Sequence, residues 1–137
     1  YDNDGDLDLS ITDGYGPVGG HPLFRNELSS KLRHRQLQVL VLDSKGHFTQ
    51  AGAEVRLYNQ QGELVASRIV STGGGYNSQD AIPVYFAVQD GGPVSVEVRF
   101  MGPNGGTRQR IDGVRLKDYR GKALTILKDA NTLTTAE

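Results

Sequence analysis

The chain has no cysteine, no tryptophan and one methionine among its 137 residues. Without cysteine, disulfides, thiol nucleophiles and cysteine-ligated zinc are excluded, while the compartment is left open, since exported bacterial domains can lack cysteine too. No apolar stretch approaches the roughly eighteen residues that a membrane-spanning helix needs. Tyr1 leads directly into charged sequence without a signal-peptide pattern, as a piece cut from a longer chain would. A surplus of one charge sign is also missing: 15 basic against 16 acidic side chains leave a net charge of −1. No global field therefore favours nucleic acid or an anionic membrane. Long amphipathic helical patterns are absent as well, and 18 glycines point to many turns.

What is present is alternation. QLQVLVL (36–42), AEVRLYN (53–59), ELVASRIV (63–70), PVYFAV (83–88), VSVEVRF (94–100) and ALTILK (123–128) are short and rich in β-branched or aromatic residues. DSKG, NQQG, TGGG, QDGG and GPNGG punctuate them as turns. In VSVEVRF, Val94, Val96, Val98 and Phe100 share one face, with Ser95, Glu97 and Arg99 on the other. The NQQG turn between AEVRLY and ELVASRIV reads as a hairpin. Strands at this spacing predict an all-β fold, an antiparallel sandwich or barrel. NELSSKLRH (26–34) is too short and mixed to read as a helix, and NTLTTAE (131–137) reads as a frayed tail. The composition changes near residue 30, which places a boundary at about 28–34.

The opening YDNDGDLDLSITDG crowds Asp2, Asp4, Asp6 and Asp8 at every second position. Calcium wants six to eight oxygens, and alternating aspartates around a glycine turn supply them while the ion cancels their repulsion. An EF-hand would need an acid where Ile11 stands, so that version is excluded. The shorter pattern D-x-D-x-D-G-x-x-D fits, with its first aspartate falling just before Tyr1. Asp2, Asp4 and Asp8 would bind through carboxylates and Asp6 through its backbone carbonyl. The competing reading is a solvated acidic end; Gly5 and the alternation Leu7, Leu9, Ile11 favour the metal loop. Binding by this chain alone is expected to be weak, with one ligand missing.

TGGGYNSQD (72–80) has glycines that could present amides to an anion, but no strand-to-helix transition and no GKS/T follow. It reads either as a glycine-rich crossing that lets Tyr76 pack, or as a ligand loop. In the second reading Tyr76 stacks while Asn77, Ser78 and Gln79 hydrogen-bond. His21, His34 and His47 are scattered, with only Asp43 near His47 at a spacing of interest. There is no G-x-S-x-G elbow and no assembled nucleophile, so no catalytic residue is assigned. KLRHR (31–35) and RLKDYRGK (115–122) have few interleaved aromatics and read as solvated faces or polyanion contacts rather than nucleic-acid readout.

The acidic loop followed by HPLFRN resembles the calcium loop and strands of an FG-GAP or VCBS β-propeller repeat. AGAEVRLY, GGGYNSQDAIPVYFAV and VEVRFMGPNGGTRQRI resemble the ASPIC/UnbV domain that follows such repeats, although Phe100-Met101-Gly102-Pro103 stands where that family has a Trp-Pro pair. The resemblance implies a partial calcium-binding propeller blade (1–30), a β-sandwich (31–129) and a tail (130–137), with further propeller repeats upstream. It also implies a secreted, extracellular, periplasmic or cell-surface setting. The expectation is a non-enzymatic calcium-binding recognition or adhesion module whose partner is an extracellular protein or glycan. The alternative is a carbohydrate-binding module carried by a larger secreted protein or enzyme.

Overall fold

The computed structural model describes residues 7–11, 20–29, 32, 35–73, 83–89, 92–102 and 106–129. Its elements are β1 (Leu9–Ser10), β2 (Leu23–Phe24), β3 (Gln36–Leu42), β4 (Glu54–Tyr58), β5 (Leu64–Ile69), β6 (Val84–Ala87), β7 (Val94–Phe100), β8 (Thr107–Val114), a short 3₁₀ turn (Leu116–Tyr119) and β9 (Leu124–Leu127). The described chain is all-β apart from that turn and Leu32. Each alternating run of the sequence becomes a strand, trimmed by a residue or so at its ends.

Two sheets share one core. One is three-stranded in the order β6-β3-β9, the other four-stranded in the order β5-β4-β7-β8. Leu37, Val39 and Val41 of β3 point inward against Val55 and Leu57 of β4 and Val96, Val98 and Phe100 of β7. The period-2 alternation does this directly, since every second side chain leaves the same face of a strand. Each fully buried aliphatic or aromatic side chain contributes about 1.5–3 kcal/mol by leaving water, which is why these short strands hold together.

Five of the six strand pairs are antiparallel, as alternation and tight turns imply. The exception is β3–β9, which run parallel with Val39 opposite Leu124 and Leu42 opposite Leu127. A parallel neighbour must arrive by a crossover, and nothing local in the sequence announces one.

Two turns use the same device. Asp43 Oδ1 accepts backbone N–H bonds from Lys45 and His47, both at 2.8 Å. Asn59 Oδ1 likewise accepts from Gln61 at 3.0 Å and Glu63 at 2.8 Å. In both, glycine three positions on takes a left-handed conformation, Gly46 at φ 84° and Gly62 at φ 82°. The Asx side chain imitates a backbone turn, and glycine adopts the positive φ without a Cβ penalty. Asp43 and His47 are thus explained by turn chemistry, with His47 Nδ1 also 3.4 Å from Asp43 Oδ2.

The two sides of the sandwich are finished differently. Where β8 and β9 meet, the Gln109 side chain stitches the sheets: Nε2 donates to Leu127 O at 3.0 Å and Oε1 accepts from Asp129 N at 3.1 Å. On the opposite side β5 and β6 are both edges, bridged by Arg68, whose guanidinium lies 5.9 Å from the centre of the Phe86 ring. Among the described residues no strand pairs with the outer side of either.

Candidate functional site

The acidic loop is represented by its last carboxylate, because Asp2, Asp4 and Asp6 lie outside the described residues. β1 and β2 form their own antiparallel ribbon, with Leu9 opposite Phe24 and Ser10 opposite Leu23. Asp8 closes this ribbon: its Oδ1 accepts the Asn26 backbone N–H at 2.9 Å, while Asn26 Nδ2 donates to Leu7 O at 3.2 Å. The Asp8 carboxylate is therefore oriented by a chain segment eighteen residues away. Among the described residues, no group of three or more His, Asp or Glu side chains converges as a metal site. Leu7, Leu9, Ile11, Leu23 and Phe24 are all exposed, and none belongs to the sandwich core.

Tyr76, Asn77, Ser78 and Gln79, the ligand residues expected from the glycine-rich stretch, also lie outside the described residues. No helix among the described residues is long and apolar enough to cross a membrane.

The most organised polar surface is the outer face of the four-stranded sheet. The register sets Arg56 opposite Glu97 and Glu97 opposite Arg110 in one row, and Glu54, Arg99 and Arg108 in the next. Along the strands the signs alternate too: Arg56 Nε is 2.9 Å from Glu54 Oε1, Arg99 Nε 2.8 Å from Glu97 Oε1, and Arg110 Nε 2.8 Å from Asp112 Oδ1. The Arg56 Nε is buried at this contact and its N–H is not aligned with an acceptor.

Glu97 departs from the sequence expectation. Alternation places it on the water-facing side, yet only 4 % of it is exposed. Arg99 and Tyr58 cover it, the latter through its hydroxyl at 3.4 Å from Oε1, and the Arg110 guanidinium sits 4.8 Å from the centre of the Tyr58 ring. An enclosed carboxylate survives because charged hydrogen bonds replace its water. Arg56 and then the Ser67 hydroxyl, whose oxygen is 2.6 Å away, hold the Glu54 carboxyl below its ordinary value. Ser95 and Arg110 do the same for Asp112.

The lattice leaves one cation over. Arg108 stands opposite Arg99 across the β7–β8 ladder, and among the described residues it forms no ion pair. Like charges directly opposite are unfavourable, so an incoming anionic group would relieve them. Sequence reading did not single out Arg108 or Tyr58. The usable signal was R-x-R-x-D in Arg108–Asp112 beside E-x-R in Glu97–Arg99, a charge pattern that only a known register turns into a lattice.

No family model matches the chain, and no curated protein or solved structure matches it.

Proposed function

We propose that this chain is a non-enzymatic extracellular recognition or adhesion module, built on the two-sheet β domain and preceded by a calcium-stabilised loop of FG-GAP or VCBS type. The observation that carries the reading is the outer face of the four-stranded sheet. Its arginines and carboxylates are held in place by one another, and Arg108 remains to meet an acidic group of a partner. Side chains fixed before binding lose little entropy on binding, which suits a recognition surface. The sandwich as an ASPIC/UnbV-type domain, and its export to a calcium-rich compartment, belong to the same proposal.

Calcium has a structural role in this reading. Asp2, Asp4, Asp6 and Asp8 would share the ion, and the Asn26 clasp would transmit the order of the loop to the ribbon. Millimolar extracellular calcium suits such a site.

Capture from cell-surface protein extracts tests the recognition face. Proteins retained by the wild-type chain and lost with Arg108→Glu support it; equal retention by both overturns it. A glycan array read beside the capture decides the alternative. Glycans bound by the wild type and lost with Tyr76→Ala would replace a protein partner by a carbohydrate. Calorimetric titration with calcium chloride tests the loop: heat of binding is expected for the wild type and for an upstream-extended chain, tighter for the latter, and is lost with Asp8→Ala.

A further inference from the structure

The open side of the sandwich carries a cleft that the recognition face does not use. It lies where the start of β5 meets the end of β6, with a volume of about 480 Å³. Leu64 and Val65 form one wall, Val88, Pro93 and Val94 the other, and Gln60, Gln61 and Gln89 bring side-chain amides. Glu63 is the one charged residue of this described lining, and Asn59 Nδ2 already donates to its Oε2 at 2.7 Å. Of the two edges with no described partner strand, the cleft touches β5 at Leu64 and Val65 and lies just past the end of β6.

We propose that this seam binds an extended, uncharged peptide segment that adds to the β5 edge and places an aliphatic side chain in the cleft. Three observations select that occupant. First, β5 is lightly protected for an edge. It has no proline and no lysine, its one charged side chain is an exposed Arg68 whose guanidinium lies 5.9 Å from the centre of the Phe86 ring, and Leu64, Val65 and Ile69 are 52 %, 42 % and 66 % exposed. Natural edges of this kind are normally blunted by lysine, proline or a covering loop; among the described residues none of these covers β5, which leaves it a template for strand addition. Second, the described lining is nearly charge-neutral and offers both amide donors and acceptors, which match peptide bonds and uncharged side chains. Third, it contains no aromatic ring on which a sugar could stack, so aliphatic walls favour an aliphatic side chain over a glycan. On the other side of the molecule the seam between β8 and β9 is bridged by the Gln109 side chain.

None of the cleft's described lining residues belongs to the outer-face lattice, so the two proposals fail separately. The test is a random heptapeptide display library panned against the whole chain, with enriched peptides then synthesised and titrated. Enrichment of uncharged sequences with aliphatic residues at alternate positions is expected. Val65→Lys, at an exposed position, should weaken the best peptide at least about tenfold, or ~1.4 kcal/mol. N-methylation of alternate peptide nitrogens should do the same, because edge pairing uses those N–H groups. Thr125→Lys on the stitched side should leave binding unchanged. An empty library overturns the seam assignment. So do peptides indifferent to both Val65→Lys and N-methylation, and so does a neutral oligosaccharide that competes for the same cleft; none of these touches the Arg108 capture result.

Discussion

The Asn26 backbone N–H donates to Asp8 Oδ1 at 2.9 Å, tying the end of the acidic loop to the end of the second ribbon strand. One hydrogen bond to a carboxylate is worth about 1.5–3 kcal/mol. Asp8→Ala should therefore speed hydrogen exchange at the Asn26 amide and at Ile11, whose N–H bonds Pro22 O, while leaving the sandwich amides protected. Equal exchange at Asn26 in both proteins would mean that the clasp does not form.

Glu97 is the enclosed carboxylate of the sheet, and its partners cannot all re-pair when it is removed. Glu97→Ala is expected to destabilise folding by about 1–3 kcal/mol, read as a lowered denaturant midpoint at unchanged slope. Glu97→Gln should recover part of this, since an amide oxygen still accepts from Arg99 and Tyr58.

The turn at Asp43 makes stability depend on pH. The backbone N–H of His47, ahead of those of Lys45 and the Thr49 hydroxyl, holds the Asp43 carboxyl below its ordinary value of 3.8. A depressed folded pKa contributes stability that is present above the unfolded value and lost as pH falls through the folded one. Thermal unfolding should therefore lose this contribution on acidification below about pH 4. Asp43→Asn keeps the acceptor oxygen without the charge and should flatten that part of the profile. An unchanged profile would remove Asp43 from the account.

Gln109 holds the stitched side with two hydrogen bonds. Gln109→Ala should cost about 1–2 kcal/mol and raise exchange at Asp129 first, leaving the β4–β7 ladder intact. Leu57→Ala, a deletion in the shared core, should cost more, about 2–5 kcal/mol.

How far sequence reading reached depends on where the information sits. The runs around Val39, Val55 and Val98 were legible because burial on one face imposes a period of two. β8 was not legible, since Thr107–Val114 buries only Val114 and presents arginines elsewhere. Its place comes from pairing with β7, a non-local fact. The same holds for β9 beside β3 and for the burial of Glu97, which depends on Tyr58 arriving from another strand. Asp8 was legible as a carboxylate in an acidic pattern, but the amide that orients it, Asn26, lay at the far end of HPLFRN.

The parallel pairing of β3 with β9 has a consequence for how the molecule is made. β3 is the central strand of its sheet, and one of its two neighbours comes from the far end of the described chain. During synthesis the hairpin of β4 and β5 can close as soon as it emerges, but Val39 and Val41 stay uncovered on one flank until Leu124–Leu127 is available. Contacts so distant in sequence form late, because the intervening loop must be closed before they reward it. Truncation before Leu124 should thus leave a nascent domain with a bare aliphatic strand, the state most exposed to aggregation and chaperone capture.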